Sequence, residues 1–150
     1  NIELARLLAE SGKRVEAVSN MIDIVQILGT GRNITAISTG GIMYRTVNGF
    51  MGAAAIEAIK RYSFDKVFVG CCGMDMMSRS FTTMGVEDGL TKKAAISSGR
   101  HKYIVMEREK FYFNESYKYA ELDEVDGIIT EEYPDESVKN ILDSYGVTLY

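Results

Sequence analysis

The stretch KVFVGCCGMDMMSRSFTTMGVEDGLTKK, residues 66–93, concentrates side chains that can do chemistry. It holds two adjacent thiols (Cys71, Cys72), a hydroxyl pair (Thr82, Thr83), three carboxylates (Asp75, Glu87, Asp88) and three ammonium groups (Lys66, Lys92, Lys93). A zinc site would need three or four Cys, His or carboxylate ligands at workable spacing. The two cysteines are neighbours and the single histidine, His101, stands at the start of an apolar run, so the ligand count argues against a metal. The CxxC spacing of thiol–disulfide enzymes is absent. A Cys–His nucleophile would require Cys72 beside His101, which the sequence places at the far end of its strand. Small buried residues under a tight turn are the simpler reading of Cys71 and Cys72.

The carboxylates leave more open. Asp75 and Glu87 can form an acid/base pair. Equally, Asp75 can close a turn and Glu87 can cap a helix. Lys92 can reach a phosphate or stay solvated. Lys110, in EREKF, follows a strand end and has the better claim to a pocket.

The elements that must position these groups alternate in type. IELARLLAES reads as a helix, with Ile2, Leu4, Ala5, Leu7 and Leu8 on one stripe. VEAV reads as a strand. MIDIVQIL reads as a helix, with Asn20 as a candidate cap and a stop at Gly29–Gly31. ITAIS is a strand ending in Thr39-Gly40-Gly41. FMGAAAIEAIKRY has strong helical character. KVFVG, YIVM, GIIT and VTLY are strands. EDGLTKKAAISSG is a helix with acids in its first turn, and DESVKNILDSYG is one between Pro134 and Gly146. Strand–helix alternation with short connections predicts an α/β fold with a mostly parallel sheet. KVFVG and YIVM are apolar throughout, which predicts strands covered on both faces.

In such a sheet, ligands lie beyond the carboxyl ends of the strands. Those ends carry Ser19-Asn20, Thr39-Gly40-Gly41, Cys71-Cys72-Gly73-Met74-Asp75, Glu107–Lys110 and Glu131-Glu132. Glycines permit close approach, and free N–H groups at helix starts attract anions. A small anionic molecule is the expected ligand, although turn residues alone account for any one of these loops.

The length of 150 residues suits one domain, 1–150. A net charge of −4 argues against nucleic-acid binding by this segment. The late acid excess in ELDEVDGIITEEYPDE reads as a solvated face. No apolar run approaches the ~20 residues of a membrane span. Cysteine usage fits a reducing cytoplasm.

Taken in order, five segments resemble the C-terminal effector domain of DeoR-family transcriptional regulators. They are VEAVSN, ITAISTGGIMYRTVNGFMG, FDKVFVGCCGMD…FTTMGVEDGLTKKAAI, YIVMEREKF and LDEVDGIITEE. The resemblance implies a Rossmann-like three-layer α/β/α sandwich related to ribose-5-phosphate isomerase. It also implies a phosphorylated sugar or similar anionic effector, no cofactor, no catalysis, and homo-oligomers. DNA would be bound through an N-terminal winged helix-turn-helix; that part, and the strand expected before NIELARLL, would lie outside this chain. The implied effector-binding residues are Ser19, Asn20, Gly40, Gly41, Cys72, Gly73, Asp75, Thr82, Thr83, Glu87, Lys92 and Lys110. Cys72 stands where relatives carry an acid, Ile42 replaces a glutamate, and Glu107-Arg108-Glu109-Lys110 replaces Asp-x-Ser-Lys. These departures imply a nonstandard ligand. An active sugar-phosphate isomerase, or an oligomerisation module that packs through FYFNESYKYA, are the alternatives.

Overall fold

The computed structural model describes residues 1–150. The chain forms two compact units, Asn1–Arg61 and Tyr62–Tyr150. No helix is long and apolar enough to cross a membrane.

In the first unit, helices α1 (Ile2–Glu10) and α2 (Ile22–Leu28) accompany two parallel strands, β1 (Val15–Ser19) and β2 (Ile34–Ser38). Ala5, Ile24 and Leu28 are buried together, with Leu8, Ala17 and Ile34 packed around them. Leu7, expected on the apolar stripe of α1, is 67% exposed. Asn20 does not cap α2. Met21 holds that position, and the Asn20 amide instead donates to the Phe50 carbonyl at 3.1 Å. Phe50 lies in an antiparallel hairpin, β3 (Ile42–Tyr44) and β4 (Gly49–Met51), that the helical reading of FMGAAA overran. Helix α3 accordingly begins only at Ala53 and ends at Lys60.

The second unit holds a four-stranded, wholly parallel sheet. Its order is β11 (Thr148–Leu149), β10 (Gly127–Ile129), β8 (Gly99–Val105) and β5 (Phe64–Gly70). Helices α4 (Val86–Ser98) and α5 (Glu136–Ser144) connect its strands, which is the mixed α/β, Rossmann-like arrangement expected. Val69, Ile104, Ile128, Ile96, Val138 and Leu142 share one core. Each such fully buried aliphatic side chain contributes about 1.5–3 kcal/mol. The expectation of cover on both faces fails along β5, where burial alternates. Val67 and Val69 are buried, but Phe68 is 37% exposed and stacks on Tyr103, with ring centroids 5.4 Å apart.

A second, antiparallel sheet sits in the same unit: β6 (Gly73–Asp75), β7 (Ser80–Thr83) and β9 (Tyr117–Glu121). It buries Met74, Phe81, Tyr119 and Ala120 in the common core. This sheet carries the polar stretch past Cys72 back along itself and so fixes the site. Gly73 is required there by close approach. A Cβ at that position would stand 2.5 Å from the carbonyl oxygen of Phe113, which accepts a hydrogen bond from the Met74 N–H. Gly73→Ala is therefore expected to cost about 1–3 kcal/mol, the range for overpacking. Gly85→Ala, where a Cβ meets open space and only the N-cap preference of α4 is lost, should cost less, about 0.5–1 kcal/mol. Urea denaturation of both variants checks the contrast.

Candidate functional site

Backbone alternation sorts the two threonines of β7 to opposite sides. Thr82 is structural: its Oγ1 accepts the Glu115 N–H at 3.0 Å. Thr83 faces the other way and meets the end of β5. Its hydroxyl donates to Asp88 Oδ2 at 2.5 Å and lies 3.3 Å from Cys72 Sγ. Helix α4 completes the cluster. Asp88 and Lys92 are one turn apart, so their side chains share a face. Lys92 Nζ sits 2.6 Å from Asp88 Oδ2, 3.1 Å from Thr83 Oγ1 and 3.9 Å from Cys72 Sγ. It also lies 5.4 Å from the centroid of the Tyr119 ring, within cation–π range. The Lys92 and Asp88 side chains are 16% and 17% exposed, so solvent reaches the pair without flooding it.

The thiols differ. Cys71 is buried and donates to the Gly73 carbonyl at 2.9 Å, whereas Cys72 is half-buried. Burial pushes the Cys71 thiol up from its usual range, and burial also holds the Tyr119 phenol well above its own. Both are neutral at pH 7 and form an uncharged floor beneath the ion pair. No group of three or more His, Cys, Asp or Glu side chains is arranged to hold a metal ion. His101 pairs with Lys66 near the start of β5, while Gly70, just before the cysteines, pairs with Val105 at the other end.

The remaining expected site residues are distributed as follows. Asp75 closes the turn between β6 and β7. Its carboxylate accepts the N–H groups of Met77 and Ser78 and the Ser78 hydroxyl. Glu87 is exposed and outside the cluster, where Asp88 takes the place expected for it. Lys110 lies in the 3-10 turn Arg108–Tyr112 and pairs with Glu107 at 3.1 Å. In the first unit, Ser19 Oγ accepts the Met21 N–H, and Gly40 and Gly41 have φ of +64° and +112°. These glycines form the left-handed turn after β2. The second unit also has two clefts, the first of which shares Tyr119 with the cluster. One, of about 280 Å³, runs between α4 and β9 past Leu90, Lys93 and Tyr117. The other, of about 560 Å³, is lined by Glu107, Arg108, Glu109, Glu131 and Glu132.

The family model described as the DeoR C terminal sensor domain matches residues 1–132. The chain belongs to that family. Among curated relatives it is 27% identical to the HTH-type transcriptional repressor GlcR of Bacillus subtilis (strain 168), over 88% of this chain and 50% of that protein. It is 26% identical to the glycerol-3-phosphate regulon repressor of Escherichia coli (strain K12), over 95% of this chain and 56% of that protein. The putative aga operon transcriptional repressor of Escherichia coli O157:H7 is 24% identical over 93% of this chain and 51% of its own length. This sensor domain thus spans about half the length of the relatives it matches.

Asp88 and Tyr119 are the cluster members that the expected site lacked. The Asp88–Lys92 spacing of four was a readable signal for a helical ion pair. Tyr119 had none, because it arrives from β9 across the second sheet. For Asp75, the Ser78 hydroxyl followed by backbone N–H groups holds the carboxyl below its usual range. A lowered folded pKa adds stability above the unfolded pKa, and that stability is lost as pH falls through the folded value. The stability gap between the wild type and Asp75→Ala is therefore expected at neutral pH. It should shrink as pH drops below about 4, the ordinary aspartate pKa, as read by thermal melts across a pH series.

Proposed function

We propose that this domain senses a small phosphorylated or otherwise anionic metabolite on behalf of a transcriptional regulator, and that the effector binds at Cys72, Thr83, Asp88 and Lys92. The observation that carries this reading is Lys92, a partly buried ammonium held at a strand end by a hydroxyl and a carboxylate. A relative named for a glycerol-3-phosphate regulon supports a phosphate ester as the effector class. DNA binding is assigned to a part of the full protein outside this domain, and a homo-oligomer carries the signal. The effector can shift DNA affinity only by its preference between the two states of that assembly, typically about 1–3 kcal/mol. In the first unit, taken by itself, the Ser19–Asn20 and Gly40–Gly41 turns are proposed as separate anion contacts, each testable by its own variant.

An isomerase is the weaker reading. Proton transfer needs a free carboxylate near the substrate, yet Asp75 is committed to its turn, Glu87 is exposed and Asp88 is neutralised by Lys92. Cys72 offers a thiol where a carboxylate would act.

Calorimetry of the full-length protein against a panel of phosphorylated sugars tests the proposal. Lys92→Met should weaken the best ligand at least tenfold, a loss of about 1.4 kcal/mol, with circular dichroism checking that the variant is folded at the assay temperature. Equal binding by wild type and variant would contradict it.

A further inference from the structure

The cluster that serves as the proposed effector site is already occupied by an anion of the protein's own. Asp88 Oδ2 stands 2.6 Å from Lys92 Nζ and 2.5 Å from the Thr83 hydroxyl, so the one carboxylate takes both of the cluster's strongest donors. An incoming anion therefore meets an ammonium that is already neutralised, and gains its full attraction only by displacing Asp88. We propose that Asp88 is a built-in counter-anion that sets the charge selectivity of the site, admitting dianionic phosphate esters and rejecting carboxylates. The inference rests on the effector site proposed above.

The selectivity follows from charge. Coulomb attraction scales with the product of the charges at a given separation. A carboxylate ligand that replaces Asp88 exchanges one monoanion for another. It gains nothing at Lys92, loses translational freedom, and leaves the Asp88 charge to find a new partner. A phosphate monoester carries about −1.5 to −2 charges at pH 7 and three acceptor oxygens. It can engage the ammonium and the Thr83 hydroxyl more strongly than Asp88 does. The floor of the cluster cannot change this balance, because Cys71 and Tyr119 are neutral. Asp88 lies in the first turn of α4, so an anion in its place keeps the favourable field of the helix N-terminus.

Titration of the full-length protein with inorganic phosphate and with acetate, followed by backbone amide shifts of Thr83 and Lys92, tests the proposal. The wild type should bind phosphate and not acetate over the same concentration range. Its phosphate affinity should fall at least fivefold between pH 7.5 and pH 5, as inorganic phosphate loses its second negative charge. Asp88→Asn should bind phosphate at least fivefold more tightly and acquire acetate binding. If Asp88→Asn fails to fold, the phosphate–acetate contrast and the pH dependence of the wild type decide alone. Acetate binding as tight as phosphate in the wild type would overturn the proposal, as would weaker or unchanged phosphate binding by Asp88→Asn. Lys92→Met separates the two levels. Unchanged phosphate binding there removes the site itself. Weakened binding there, without a gain in Asp88→Asn, removes only the counter-anion.

Discussion

A lysine ammonium withdrawn from most of its water must be neutralised and hydrogen-bonded, and Lys92 is held on those terms. Three elements converge to meet them. Helix α4 supplies Asp88 one turn before Lys92, β7 supplies the Thr83 hydroxyl, and β9 supplies the Tyr119 ring beneath the charge. Removing any of these partners would leave a charge less compensated, which is costly in a partly buried setting. The same geometry keeps the cluster poised. A salt bridge of this kind adds little net stability, so exchanging one anion for another carries a small folding penalty. That combination of a firmly positioned cation and a replaceable partner suits a sensor better than a catalyst.

The supporting structure is arranged around one sharp return of the chain. After β5 the backbone passes the two cysteines, and Gly73 lets the Phe113 carbonyl approach where no side chain would fit. Asp75 then closes the next turn with three hydrogen bonds, and β7 runs back with Thr83 on the cluster side. Phe81, fully buried on this strand, anchors it in the common core. The chemistry therefore depends on β-sheet alternation: a one-residue slip of β7 would turn Thr83 to the opposite face and take its hydroxyl away from Lys92.

Much of the fold was legible because periodicity reports burial. The apolar runs of β5, β8 and β10 and the helical stripes of α3 and α5 stand out in the sequence. The β3–β4 hairpin and the β6–β7–β9 sheet did not, since their strands are three to five residues long and interrupted by polar turn residues. Short strands take their stability from cross-strand packing that no local pattern encodes. Of the side chains that cluster around Lys92, Cys72 and Thr83 stand out in the sequence by type and position. Glu87 was favoured over Asp88 because both are acids at a helix start, and only the helical phase relative to Lys92 separates them. Asp75 has the residue type of a ligand contact, yet Ser78 three positions on makes it a turn. Family resemblance identified the segments but left that distinction untouched.

The central claim is that the sensor's effector contacts the Lys92 cluster. Amide and lysine side-chain NMR of the full-length protein, titrated with the tightest-binding phosphorylated sugar, tests it most directly. The account predicts that the largest shifts fall on Cys72, Thr83, Asp88 and the Lys92 ammonium. Shifts confined to the Glu107–Glu109 and Glu131–Glu132 cleft, or to the groove between α4 and β9, would contradict it.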